Sequence, residues 1–100
     1  MQIQHDAKNC EFVCALGPYR AVLMYAKRGG VLDFYHIYVP DPFRGRGAAA
    51  KVLIAAFEYA RKRKLKVAVS CPFIAGDFLP RFSRYQKLVK AGTFPFVSRS

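Results

Sequence analysis

The chain is short of acidic residues: six Asp and Glu stand against seventeen Lys and Arg, a formal charge of +11 on 100 residues. Self-repulsion at that charge costs stability, so a polyanionic partner is expected. Nucleic acid, a phosphorylated cofactor and an acidic membrane surface all answer that description. Cysteine is scarce as well. Cys10, Cys14 and Cys71 are odd in number, which excludes a fully paired disulfide scaffold and points to reduced thiols. Cys10 and Cys14 lack a second pair of Cys or His at metal spacing, so no metal site is expected. No run approaches the roughly 18 consecutive apolar residues of a membrane span. The first ten residues lack the basic and apolar regions of a secretory signal. These absences describe an intracellular protein, cytoplasmic or nuclear, that does not enter a membrane. Repeats, low-complexity tracts and Ser- or Pro-rich linkers are missing too, so residues 1–100 read as one domain, expected to be monomeric.

What is present is core material. Hydrophobic residues make up 53% and aromatics 15% of the sequence, including nine Phe and six Tyr, which excludes a disordered chain. Charge is uneven along it. Residues 1–40 hold four bases against three acids, whereas residues 41–100 hold thirteen against three.

The first forty residues predict an antiparallel meander. Glu11 to Leu16 and Tyr19 to Ala26 are apolar runs parted by Gly17-Pro18. Lys27-Arg28-Gly29-Gly30 is a second turn, and Val31 to Val39 is rich in β-branched and aromatic residues. Pro40 stops this strand. From Gly47 to about Lys62 the residues are strong helix formers with apolar positions four apart (Val52, Ala56, Ala60 and Leu53, Phe57), an amphipathic helix. Leu65 to Ser70 predicts a strand parallel to one in the meander, because a helical crossover of this length permits it. A short helix is expected from Pro72, ending before Pro80. Ser83-Arg84-Tyr85-Gln86 matches a capping box and predicts a further turn of helix. The fold class is α/β (α+β), in the order β-β-β-α-β-α.

Pro42-Phe43-Arg44-Gly45-Arg46-Gly47-Ala48-Ala49 lies between strand and helix. Its amides therefore form a helix N-terminus, where free N–H groups and the positive dipole end attract an anion. A P-loop fails, since no Lys followed by Ser or Thr closes the turn. Gly45-x-Gly47-x-x-Ala50 formally fits a dinucleotide fingerprint, but Arg63-Lys64-Leu65-Lys66 occupies the place where that motif wants an acidic residue. An ordinary glycine-capped turn fits the same residues.

Arg44-x-x-Gly47-x-Ala49 also fits the (Arg/Gln)-x-x-Gly-x-(Gly/Ala) signature of GNAT-type N-acetyltransferases. Four further blocks occur in matching order: His36-Ile37-Tyr38-Val39-Pro40, Ala55-Ala56-Phe57-Glu58-Tyr59-Ala60, Ser70-Cys71-Pro72-Phe73-Ile74 and Phe78-Leu79-Pro80-Arg81. Over about Glu11 to Val89 the chain resembles the small, single-domain GNAT-like branch of about a hundred residues. The resemblance implies a minimal acetyl-CoA-binding fold, with the termini outside residues 11–89 less ordered. It implies that amides around Arg44, Gly45, Arg46, Gly47, Ala48 and Ala49 grip the pyrophosphate of acetyl-CoA or coenzyme A. It implies that Ile37, Tyr38 and Val39 pair with the pantetheine arm, and that the thioester falls near Ser70 and Cys71. Relatives commonly carry Ser where Pro72 stands, so any role of that hydroxyl is absent.

Cys71 is the first candidate for chemistry, as an acetyl acceptor or as a group holding the cofactor thiol. A thiol near a helix N-terminus favours its thiolate, while a buried packing Cys is the plain alternative. His36 is the second, a base whose ordinary pKa lies near physiological pH, with a structural His bridging strands as its alternative. Asp33 and His36 point to opposite faces of one strand unless a bulge intervenes, and the family carries one there, so both stand as the base. The activity implied is acetyl transfer to an unidentified amine, a protein lysine among the candidates, since so small a chain leaves little room for an acceptor pocket. A basic histone-like tail is disfavoured by the +11 charge. The rivals are a small nucleic-acid-binding domain and a coenzyme A-binding scaffold without transfer. Arg61-Lys62-Arg63-Lys64-Leu65-Lys66 begins about 21 Å along the helix from the glycine turn. It reads as a solvated helix end, a polyanion patch or a nuclear address.

Overall fold

In the computed structural model, which describes residues 2–90, five strands form one mixed sheet in the order β1-β2-β3-β4-β5. They are β1 (Ile3–Asp6), β2 (Glu11–Leu16), β3 (Tyr19–Arg28), β4 (Val31–Tyr38) and β5 (Lys66–Val69). The first four are antiparallel neighbours; β5 lies parallel to β4, as a helical crossover requires. That crossover is α1 (Ala48–Lys62), whose Ala48, Val52, Leu53, Ala56, Phe57 and Ala60 are buried against the sheet. The expected looseness beyond residues 11–89 bears mostly on residues outside those described, but at the N-terminal side Ile3–Asp6 is a strand.

β1 is the element that periodicity misses. It offers one aliphatic residue, Ile3, and places His5 where a core side chain belongs. His5 lies opposite Phe12 in the register and stacks on its ring, with centroids 4.1 Å apart. Its Nε2 and the Tyr25 hydroxyl are 2.6 Å apart, and Tyr59 meets it edge-on. Burial pushes the His5 pKa below its ordinary 6.5, and the charges of Arg63 and Lys27 push the same way. The folded state therefore binds the proton less readily than the unfolded chain. The stabilising share of neutral His5 is complete above about pH 6.5 and is lost as pH falls through the lower folded value. Urea midpoints measured downward from pH 7 should fall, and His5→Phe should flatten that part of the profile. An unaltered profile would remove His5 as the cause.

The crossover helix closes on its last turn with a backbone device that usually takes glycine. Leu65 N–H donates to Ala60 O (2.9 Å) and Lys64 N–H to Arg61 O (3.2 Å), the pairing of a Schellman motif. Lys64 holds the left-handed position at φ 58°.

Two expectations for the last third need correction. Pro80 does not end the helix that starts at Pro72: residues 72–81 turn continuously, with a π-helical middle at Ile74–Phe78. Proline in a regular helix collides with the carbonyl four residues back. Here the wider turn, in which Leu79 N–H donates to Ile74 O, precedes the proline and accommodates it. The capping box does not form either. Ser83–Leu88 is a 3-10 helix preceded by Phe82, without a side-chain cap. Its register is set by Tyr85, whose ring stacks on Phe57 at 5.1 Å while its hydroxyl donates to Glu58 Oε2 at 2.8 Å. Phe57 also meets Phe34 edge-on at 5.1 Å and stacks on Phe78 at 5.6 Å. Helix, sheet and C-terminal segments thus converge on one ring.

Candidate functional site

The site is built where β4 and β5 part. Their last registered pair is Phe34 with Val69, followed by a bond from Ser70 N–H to Phe34 O (3.1 Å). His36 and Cys71 each lie two residues beyond that pair, on the two arms of the split. On the other edge of β4, Tyr25 is opposite Phe34 and Met24 opposite His36, which leaves Tyr35 as an extra residue. This bulge decides the question of faces. Asp33, opposite Ala26, and His36, opposite Met24, fall on the same face; Phe34 and Ile37 fall on the face that carries α1. Asp33 Oδ1 accepts a 2.9 Å bond from the Ser70 hydroxyl, closing the strands just before they separate.

Beyond β4, Pro40 and a 3-10 turn at Asp41–Phe43 lead into the glycines. Gly45 and Gly47 have φ of 78° and 83°, a region closed to most side chains. A Cβ on either would meet no atom within 4 Å, so backbone conformation rather than crowding demands glycine here. The amides of Arg44 and Arg46 are taken by Asp41 O and Phe43 O. Gly47 caps α1 without any side-chain bond, and the first turn holds no acidic residue. The first intrahelical bond runs from Lys51 N–H to Gly47 O (3.1 Å), so the N–H groups of Ala48, Ala49 and Ala50 precede the ladder and are left for an outside acceptor. Arg44 braces the turn, its Nε 3.2 Å from Val39 O and 3.3 Å from Asp41 Oδ1.

A cleft of about 580 Å³ runs from this turn to the strand split. That is within the usual range for small-molecule sites. Of the residues singled out in the sequence, His36, Ile37, Val39, Arg44, Gly45, Gly47, Ala48, Ala49 and Cys71 line it, whereas Tyr38 and Arg46 do not. Tyr38 is exposed across from Val22, on the sheet face it shares with His36 and away from α1. Cys71 is 7% exposed, so its contact with solvent is confined almost to the cleft. Its carbonyl accepts from Ala75 N–H, the first α-type bond of the helix after it.

The sequence reading missed Phe43, Ala50, Phe73, Asp77 and Arg81, which with Pro72 complete the wall. Asp77 and Arg81 form an ion pair of 2.9 Å, so the carboxylate adds little net negative charge to a cleft suited to anions. Both sit on the helix that Pro80 was expected to cut. The Phe78-Leu79-Pro80-Arg81 block was the one signal that could have placed them. Among the described residues no cluster of His, Cys, Asp or Glu is arranged to hold a metal, and no helix is long and apolar enough to cross a membrane.

A helix-opening anion cradle beside a splayed pair of parallel strands, with an apolar cleft between, is the architecture of the GNAT N-acetyltransferase fold. The sequence profile of the GCN5-related N-acetyl-transferase family matches residues 11–88, and the chain belongs to that family. Among curated proteins it is similar to Protein NATD1. The chicken (Gallus gallus) protein is 34% identical over 98 residues, covering 95% of this chain and 79% of the relative. The human (Homo sapiens) protein is 32% identical, covering 95% and 77%. Among solved structures it is similar to a GCN5-like protein from Staphylococcus aureus, with a TM-score of 0.69 and 26% identity, covering 89% of this chain and 87% of that one.

Proposed function

We propose that this chain is an acetyl-CoA-dependent N-acetyltransferase whose acceptor amine belongs to another protein. The observation that carries the reading is the joined geometry of cradle and split: free amides at Ala48 to Ala50, and His36 and Cys71 across the parting strands, on one cleft. These residues fit the cofactor. The amides and Arg44 suit its pyrophosphate, and the wall of Ile37, Val39, Phe43 and Ala50 suits an aliphatic arm. Bound there, acetyl-CoA supplies an activated acetyl carbonyl to an attacking nucleophile. The backbone of β4 past the split has no β5 partner, so the edge at Ile37 to Val39 is open to the amide groups of the arm, apart from the Val39 carbonyl, which holds Arg44 Nε.

His36 is the base in this reading. It is exposed and lies on the cleft wall, whereas Asp33 is not on the wall and is engaged by Ser70. Its imidazole takes the proton that the amine sheds as the N–C bond forms, and passes it to water. Cys71 Sγ is the nucleophile this chain offers at the reactive end: it would take the acetyl group as the cofactor's thiol leaves carrying the Cys71 proton, and the amine would then displace the Cys71 thiolate. The shallow, open cleft suits an acceptor presented on a protein surface.

Intact mass spectrometry tests the covalent step. Incubation with acetyl-CoA and no acceptor should add a single acetyl group, located on Cys71, and Cys71→Ser should abolish it and slow transfer at least about a hundredfold, the lower end for one catalytic group. Transfer at the wild-type rate by Cys71→Ser would show that the amine attacks directly and that Cys71 only lines the cleft.

A further inference from the structure

The +11 charge is not absorbed by the cleft, and the fold gathers the remainder elsewhere. Lys66 N–H donates to Gly30 O (2.9 Å) and Val31 pairs with Lys66, so the β3–β4 turn and the loop after α1 lie side by side. The end of β3 carries Lys27 and Arg28; the last turn of α1, the loop after it and the start of β5 carry Arg61, Lys62, Arg63, Lys64 and Lys66, all exposed. Arg63 stacks over the Tyr59 ring at 4.7 Å, that ring meets His5 edge-on, and the charges of Arg63 and Lys27 both act on His5. The carboxylate next to the loop, Glu58, is already taken by Arg61 (2.7 Å) and by the Tyr85 hydroxyl. Asp6 is held by Asn9.

Lys64 adds an independent observation. It occupies a left-handed position that glycine would fill without strain, and a side chain there costs about 1 kcal/mol or more. Strain kept at an exposed loop tip points from structure to function. What the strain retains is a cation at the centre of the basic end.

We propose that this end of the sheet, formed by Lys27, Arg28 and the segment Lys62 to Lys66, is a docking surface for the phosphate backbone of a nucleic acid. Charge complementarity alone would also admit an acidic protein, but protein interfaces are centred on buried apolar or aromatic anchors. The large exposed apolar side chains among the described residues are Tyr19, Tyr35, Tyr38 and Phe73, none of them in the turn or the loop. A surface of cations without such an anchor matches a backbone read by counterion release. The patch lies at the far end of α1, whose 15 residues span about 22 Å from the glycine turn, so a bound strand leaves the cleft open. The acceptor of acetyl transfer would then be a protein sharing that nucleic acid. The docking surface itself does not depend on the transfer activity.

Fluorescence anisotropy of the full chain with a labelled duplex of about 20 base pairs, across roughly 50–200 mM salt, tests this directly. The plot of log affinity against log salt should fall with a slope of about −3.6 to −5.4, reflecting roughly four to six neutralised phosphates. Lys64→Gly relieves the backbone strain, so it should raise the urea midpoint while weakening binding and reducing the slope by about 0.9. Lys51→Ala removes the same charge near the glycine turn and should change neither by as much. Absence of binding at the lowest salt would overturn the proposal, as would equal effects of the two variants. Competition by polyglutamate as effective as that of unlabelled duplex would assign the surface to an acidic protein instead.

Discussion

Replacing Gly47 by Val should abolish the stabilisation that acetyl-CoA confers on this protein. Gly47 is at φ 83°, and a β-branched residue cannot hold that conformation without strain of roughly 1–3 kcal/mol. Relaxing the strain turns the peptide planes on either side, and these carry the first free amides of α1. The wild-type protein at about 100 times the dissociation constant should gain roughly 2.7 kcal/mol. For a domain of this size that is a rise in Tm on the order of 10–20 °C. The variant should remain folded, with a lower baseline Tm, and show almost none of that rise. A variant that keeps the full rise would place the cofactor phosphates away from the glycine turn.

The largest loss of stability is expected from Phe57→Ala. The ring is fully buried and touches the sheet through Phe34 and the C-terminal segments through Phe78 and Tyr85. Deleting it leaves a cavity between elements that are held apart by other contacts, and such changes cost about 3–5 kcal/mol. Small domains have about 5–15 kcal/mol in total. Urea unfolding should therefore show a midpoint reduced by a large fraction, with Phe57→Leu losing much less, under about 1.5 kcal/mol. A loss below about 1 kcal/mol would mean that the helix collapses onto the sheet and that the shared ring is not the keystone described above.

How much of this was legible in the sequence follows from where local and long-range physics agree. β2, β3, β4 and α1 could be read because their apolar period matches the face they bury, and Gly17-Pro18 and Gly29-Gly30 punctuate them. β1 could not, because its core contact is made by the aromatic body of His5, which pattern reading counts as polar. The bulge at Tyr35 was likewise invisible in spacing alone. It exists only relative to β3, yet it moves Asp33 and His36 onto one face. Ser83 fits a cap motif, but Tyr85 is drawn to Phe57 and Glu58, and that tertiary pull tightens the segment to 3-10. In the cleft, the glycine turn was legible because positive φ has a residue-level signature. The contribution of Asp77 and Arg81 was not, since it depends on a π-type turn carrying the helix through Pro80. Tyr38 and Arg46 were expected to meet the cofactor through their backbone, on motif adjacency, and their side chains do not line the cleft.

The claim on which the functional account turns is that the amides opening α1 hold the phosphates of acetyl-CoA. Thermal unfolding of the full chain, with and without acetyl-CoA at millimolar concentration, measures it most directly. Tm should rise with the logarithm of cofactor concentration, and the rise should disappear in Gly47→Val. An unchanged Tm at saturating cofactor would contradict it.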